Sequence, residues 1–401
     1  MHVMSTPVPV TPRPESVETP APASPVPARK PRVCFVAPQA WAIFSGDTKH
    51  AVAGGAEVQI SLVAEALAKR GYDVSMICLD YGQPDGIEVR GVKVYKCYTP
   101  DEGLPVVRFL HPRLTKLWAA MKRADADVYY QRTSGVETAW VAAFAKRHGR
   151  YSIFAGASDV DFVPGKQDIA LARDRRIFEW GVRRVDRIFC QNEVQQRTLR
   201  ENFGRDGIVI PNCMAPSTQE RAGRHGQYVL WVAILRHSKR AEMFLELARR
   251  LPQYKFIMIG GPEAGSEAFF EKVRADAATI PNLDFKGYMP FAEAEKWFDG
   301  ARVFVNTSKY EGFPNTFLQA WSRGLPTVAF FDTGSRVNGQ PAYDQVETMD
   351  EMATRVDRLM REDILWQQSS HRAEAFFRQS HSLDAIVEHY EHELAKAPVR
   401  K

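Results

Sequence analysis

No apolar run in this chain of 401 residues approaches the roughly 20 residues needed to cross a bilayer as a helix. Cysteine is scarce and unpatterned: Cys34, Cys78, Cys97, Cys190 and Cys213 include no Cys-x-x-Cys pair. Such an odd, scattered set argues for a reducing compartment and against a zinc site. The start of the chain has no basic segment followed by an apolar one, so it does not read as a secretory signal. No large charge bias exists either. The formal net charge is +5 and the basic residues are dispersed. That gives little reason to expect nucleic acid, and it leaves anionic substrates or an anionic membrane surface as the partners charge alone would favour.

What is present is ordinary for a globular protein, with 45% hydrophobic and 25% charged residues. The length exceeds one core and fits two domains. Residues 1–31 are rich in Pro, Ala, Val, Thr and Ser without periodicity, and read as a disordered tail, with a partner-binding role as the alternative. Residues 32–212 read as one α/β domain, 213–227 as a polar linker, 228–380 as a second α/β domain, and 381–401 as a terminal helical segment. In the first domain a buried strand at Arg32–Pro38 leads through Gly54-Gly55-Ala56-Glu57 into an amphipathic helix at Val58–Arg70 and a strand at Tyr72–Leu79. That is a βαβ unit. Residues 104–123 mix apolar and basic side chains; the segment packs inward as a domain helix or lies on an anionic membrane. Arg132 follows a strand and either contacts a phosphate or acidic acceptor or pairs as a loop arginine. Asp159-x-Asp161 invites a metal reading, but Asp125-x-Asp127 repeats the spacing by chance. We read Asp159 and Asp161 as acceptor-side or structural carboxylates and expect no metal.

The most informative stretch is Val303–Phe331, VFVNTSKYEGFPNTFLQAWSRGLPTVAFF. It reads as strand, glycine-containing loop, short helix capped by Asn315 or Thr316 and running Phe317–Arg323, then a second strand. This order puts a helix start at the carboxyl edge of a sheet, where free N–H groups favour anions. Glu311 stands at the lip and Gln319 lies one turn into the helix. Upstream, a strand at Tyr228–Ala233 runs into Leu235-Arg236-His237-Ser238-Lys239-Arg240. Lys239, at a helix start beside a strand edge, is the best candidate ligand for a diphosphate.

Glu311, Gly324-Leu325-Pro326-Thr327-Val328 and the segment EGFPNTFLQAW together resemble the signature of glycosyltransferase family 4, a retaining group of the GT-B superfamily. The second Glu of that signature is Gln319 here, eight residues after Glu311. The resemblance implies two Rossmann-like, doubly wound domains facing a deep cleft, with the terminal helix crossing back to the first domain. It implies a cytoplasmic enzyme that moves a sugar from a nucleotide-diphosphate sugar to a glycan or lipid-linked acceptor, without a metal and with retention. Peripheral contact with the inner face of the plasma membrane through 104–123 stays open. The catalytic residues it points to are Glu311, Lys239 and Arg236. Arg236 or Arg240 would replace a family arginine whose usual place is Ile234. Donor binding falls to Gly54, Gly55, Gly287, Phe313, Asn315, Thr316, Phe317 and Gln319, with Glu57, Arg132, Asp159 and Asp161 on the acceptor side. A GT-B epimerase or hydrolase using Asp159, Asp161 and Glu193 is the alternative, as is a non-catalytic nucleotide-sugar-binding subunit.

Overall fold

The computed structural model describes residues 29–46, 54–103, 108–217, 222–263, 265–309, 311 and 313–399. Residues 1–28 of the tail expected at 1–31 and the basic-apolar residues 104–107 lie outside these. The elements of the first half are β1 Val33–Val36, α1 Trp41–Ser45, α2 Gly55–Lys69, β2 Val74–Cys78, β3 Ile87–Val89, β4 Val92–Lys96, α3 Thr115–Ala124, β5 Val128–Arg132, α4 Val136–His148, β6 Tyr151–Ala155, α5 Ala172–Val182, β7 Arg187–Cys190, α6 Glu193–Phe203 and β8 Ile208–Val209. The second half continues with β9 Tyr228–Val232, α7 Ala241–Arg250, β10 Lys255–Ile259, α8 Glu267–Ala277, β11 Leu283–Gly287, α9 Phe291–Lys296, β12 Ala301–Asn306, α10 Asn315–Trp321, β13 Thr327–Ala329, β14 Arg336–Val337, β15 Gln340–Pro341, β16 Asp344–Gln345, α11 Met349–Arg361, α12 Asp363–Ser380 and α13 Leu383–Leu394.

Eight strands form the first sheet, in the order β3-β4-β2-β1-β5-β6-β7-β8. All pair in parallel except β3, which forms an antiparallel hairpin with β4. β1 and the strands next to it, β2 and β5, are short and buried on both faces, as a parallel sheet between helix layers requires. On one face, Ile60, Val63, Ala64 and Leu67 of α2 share a core with Ile386, Val387, Tyr390 and Leu394 of α13. Leu117, Ala120 and Met121 of α3 pack on the other face with Trp140, Val141 and Phe144 of α4. The described part of the basic-apolar segment therefore turns its apolar face inward, while Leu110 just before α3 stays 59% exposed. α5 begins at Ala172, and Asp168–Leu171 before it carries no helical repeat of hydrogen bonds.

The second sheet is six-stranded and parallel, in the order β11-β10-β9-β12-β13-β16. One face packs under α7, α8 and α11, and the other takes Phe317, Leu318 and Trp321 of α10 with Ala373 and Phe377 of α12. In each sheet the chain runs outward on one side and then jumps to the other, so the strand order reverses between β1 and β5 and between β9 and β12. Ligands of open α/β sheets bind beyond the carboxyl ends of strands at such points. The chain passes from the first half to the second between β8 and β9. Met214 pairs with Ser382, its N–H donating to the His381 carbonyl (3.1 Å) and its carbonyl accepting from Leu383 N (3.0 Å). The last helix thus starts beside Met214 and packs back on the first sheet.

Candidate active site

Four loops emerge at the two reversal points, after β1, β5, β9 and β12. The loops after β9 and β12 are stitched together. Lys309 N donates to Ser238 O (2.9 Å), and Thr307 Oγ1 donates to Lys239 O (2.8 Å) while accepting from Trp231 Nε1 (2.9 Å). Arg240, in the left-handed region at φ 47°, turns its guanidinium onto the Thr307 carbonyl (2.8 Å) and over the Phe330 ring. This frame presents two charged side chains to one another. The Lys239 ammonium pairs with the Glu311 carboxylate, and the same Glu311 Oε1 accepts from Ser308 Oγ at 2.7 Å. The two side chains are 14% and 13% exposed. The sequence-derived pair is therefore together, on the carboxyl edge of the second sheet.

The two arginines expected beside it are engaged elsewhere. Arg236 pairs with Glu263 at 3.3 Å in an exposed position, and Arg240 is spent on main-chain carbonyls. Neither joins Lys239 and Glu311.

Asn315 also differs from its expected role. The helix begins at Asn315 itself behind Pro314, with no side-chain cap. Proline at this place loses no helical hydrogen bond. The Asn315 amide instead crosses to the first sheet. Its Nδ2 donates to Gly55 O (3.0 Å), and its Oδ1 accepts from Asn212 Nδ2 (3.0 Å) and Gln59 Nε2 (3.3 Å). The carboxyl edges of both sheets consequently face each other across this residue. Phe317 is a core residue whose N–H already donates to Pro314 O (3.0 Å), so it has none to offer a diphosphate. Thr316 is half-buried and Gln319 buried, on the first turns of α10. Phe313 stacks on His381, with ring centroids 4.5 Å apart, and so braces the junction. Gly287 ends β11 at φ 69°, a conformation that suits glycine, and its carbonyl accepts from Gly260 N.

The first-domain residues expected on the donor and acceptor sides take structural places. Gly54 N–H donates to Glu57 Oε2 (3.0 Å), a capping interaction that starts α2. A Cβ on Gly55 would lie 2.4 Å from Asn315 Nδ2, so this glycine permits the close approach of the two halves. Arg132 is the last residue of β5 and only 6% exposed; its guanidinium donates to Asn212 Oδ1 (2.6 Å) rather than reaching out as a loop residue. Asp161 accepts from the N–H groups of Ala157 (2.7 Å) and Ser158 (3.0 Å). Burial pushes its carboxyl above the ordinary value, against those two bonds. Asp159 accepts from Asn192 Nδ2 (3.2 Å) and Gln195 Nε2 (3.0 Å). Asp161 thus works as a turn cap, and Asp159 as a tie to α6.

Three junction residues were not singled out from sequence. Gln59, 2% exposed on the apolar face of α2, exchanges bonds with the main chain of Cys213, both at 2.8 Å. A polar side chain on a buried stripe was the available signal. Asn212 links Arg132 to Asn315. His381 donates from Nδ1 to the Asn212 carbonyl (2.6 Å). Burial holds its imidazole down at about 4, only partly opposed by that bond, so it is neutral.

Among the described residues no group of three or more His, Cys, Asp or Glu is arranged to hold a metal ion, and no helix is long and apolar enough to cross a membrane.

Comparison with known proteins agrees with this architecture. The model of Glycosyltransferase Family 4 matches residues 53–217, and that of Glycosyl transferases group 1 matches residues 226–362. An uncharacterized glycosyltransferase of Haemophilus influenzae is 22% identical over 358 residues, covering 84% of this chain and 95% of that protein. Among solved structures, sucrose-phosphate synthase from Thermosynechococcus elongatus superposes with a TM-score of 0.71 at 17% identity, over 92% of this chain and 99% of that one. HepE of Anabaena, solved in complex with UDP and glucose, gives 0.68 at 14% identity, over 91% of this chain and all of its own. The fold is therefore GT-B, two Rossmann-like units joined edge to edge. The chain belongs to the glycosyltransferases of family 4.

Proposed function

We propose that the chain takes a sugar from a nucleotide-diphosphate sugar and transfers it, with retention of configuration, to a glycan or lipid-linked acceptor of cell-surface polysaccharide or glycolipid. In this reading the second sheet carries the donor and the first sheet the acceptor side. The observation that carries it is the Lys239–Glu311 pair, set on two stitched loops at a strand-order reversal. HepE, of the same fold, was solved with UDP and glucose. Breaking the anomeric bond moves negative charge onto the leaving phosphate. A fixed cation in a half-dry site stabilises that charge without reorganising as the bond breaks; Lys239 supplies it. Glu311 accepts hydrogen bonds from donor-sugar hydroxyls and faces the positive character that grows on the sugar ring. Attack from the leaving-group side preserves configuration, so the reading assigns no protein nucleophile and routes no step through a metal. Gln319 meets the ribose as a neutral amide. The hydrolase or epimerase alternative would draw on Asp159, Asp161 and Glu193; one oxygen of Asp159 and one of Asp161 already accept from protein donors.

The test offers UDP-, GDP- and ADP-sugars to the purified protein, with lipid acceptor in anionic vesicles. Nucleotide release is followed beside a Glu311→Ala/Lys239→Ala double variant, and vesicle co-sedimentation reads peripheral contact. Release that needs both acceptor and intact residues supports the transferase reading. Release without acceptor would replace it with hydrolysis or epimerisation, and nucleotide binding without release would leave a binding subunit.

A further inference from the structure

We propose that Glu311 is an exchange partner for the donor diphosphate, holding Lys239 in the empty site and displacing the nucleoside diphosphate after transfer. The inference rests on the donor-site reading above and adds a step to it. The Lys239 ammonium is mostly withdrawn from water, as is the Glu311 carboxylate. A charge so placed is costly without a counter-charge. In the empty site that counter-charge is Glu311, the only carboxylate paired with Lys239 among the described residues. Ser308 Oγ, bonded to the same carboxylate oxygen, holds the acid in this position. Among the described residues neither neighbouring arginine completes the site: Arg236 is paired with Glu263, and Arg240 is bound to carbonyls. A diphosphate and Glu311 therefore compete for one ammonium. Both cannot occupy it without bringing like charges into contact.

The exchange orders the cycle. When the donor binds, its phosphate takes the ammonium and releases the carboxylate, which then meets the hydroxyls of the sugar that arrived with that phosphate. After transfer the sugar is gone and Glu311 has lost those partners. Its return to Lys239 opposes retention of the diphosphate product. The same residue thus serves the sugar in one state and product release in the other.

The experiment is calorimetric titration of UDP, GDP and ADP, and of the matching nucleosides, into the wild type, Glu311→Gln, Lys239→Ala and the Lys239→Ala/Glu311→Gln double variant. Glutamine keeps the size and removes the charge. We expect Glu311→Gln to bind the preferred nucleoside diphosphate about fivefold more tightly than the wild type. Its affinity for the bare nucleoside stays unchanged, and the gain vanishes in the double variant. Stopped-flow release of the diphosphate slows by a similar factor. Equal or weaker diphosphate binding by Glu311→Gln, with the wild type binding normally, overturns the exchange and leaves the donor site standing. A gain that persists without Lys239 overturns it as well. Failure of the wild type to bind any of the three nucleotides overturns the donor-site reading itself, and the exchange with it.

Discussion

Gly55→Ala separates the junction from ordinary helix energetics, because two effects of known size oppose each other there. Gly55 opens α2, and its φ is not positive, so the backbone accepts alanine. On propensity alone the substitution stabilises the fold by about 0.5–1 kcal/mol. The added methyl, however, would stand 2.4 Å from Asn315 Nδ2 and 3.5 Å from its Cγ. Asparagine is short, and this one holds three partners at once, Gly55 O, Asn212 Nδ2 and Gln59 Nε2. It cannot swing aside without losing them. At a net value of about 1 kcal/mol per bond, the loss is roughly 3 kcal/mol against a gain below 1. The expected result is a net destabilisation of about 2 kcal/mol.

The assay is urea unfolding of the wild type, Gly55→Ala, Asn315→Ala and the double variant. With Asn315 truncated the methyl meets open space, and Gly55→Ala becomes neutral or stabilising in that background. The cycle then yields a coupling of about 2–3 kcal/mol between residues 260 positions apart. Stabilisation by Gly55→Ala in the wild-type background would refute the reasoning. It would mean that the glycine serves the helix start and not the approach of the two halves.

Other outcomes follow from the same geometry. The imidazole of His381 is held at about 4 in the fold, against about 6.5 when unfolded. The unfolded chain takes up its proton first as pH falls, so this contribution is complete above pH 6.5 and drains away between 6.5 and 4. The loss amounts to about 2 kcal/mol at pH 5. Urea midpoints at pH 7 and pH 5 should differ less in His381→Gln than in the wild type. Asp161→Ala strands the N–H groups of Ala157 and Ser158 and should cost about 2–4 kcal/mol in thermal unfolding. The KM for acceptor should hardly change in the folded fraction; a raised KM with an unchanged melting temperature would return Asp161 to the acceptor. Because the proposed site relies on Lys239 for the leaving phosphate, nucleotide release under turnover should survive EDTA, and a collapse in rate restored by Mg²⁺ or Mn²⁺ would refute that reliance.

Local pattern reached as far as local physics does. The stretch 303–331 lies nearly as its punctuation reads: β12 ends at Asn306, α10 runs from Asn315, Gly324 takes the left-handed turn at φ 63°, and β13 starts at Thr327. Those features depend on glycine, proline and β-branched residues acting on their own neighbours. The pairing of Lys239 with Glu311 was also accessible, since each loop follows a readable strand and strand order in a doubly wound sheet brings them to one edge. The contacts at the junction have a different cause. The family resemblance points Gly55, Glu57 and Asn315 to ligands, and Arg132 stays open between a ligand and an ion pair; none of these readings includes the protein partners these residues have. Glu57 bonds at its own helix start, Gly55 and Asn315 meet across the two halves, and Arg132 bonds Asn212, which links it to Asn315. The Asn212–Asn315 bond spans 103 positions and the Gly55–Asn315 bond spans 260. No window of sequence contains both ends of either contact.

The missed junction differs from the recognised pair in kind of chemistry as well as in range. Lys239 and Glu311 are charged, and an unlike pair at a sheet edge signals chemistry even when its partner in sequence is distant. The junction is built of amides: Gln59, Asn212 and Asn315, with a neutral imidazole at His381 and one buried guanidinium at Arg132. Each amide both donates and accepts, so the group can close on itself with little buried charge and with no pattern that distinguishes its members from surface polar residues. Ser158-x-x-Asp161 shows the contrast. Its spacing matches a capping box, and reading it that way would have placed Asp161 correctly without knowledge of the fold. For Gln59 the burial of its helix face was the only clue, and it marked the residue as structural without naming Cys213 as the main chain it holds.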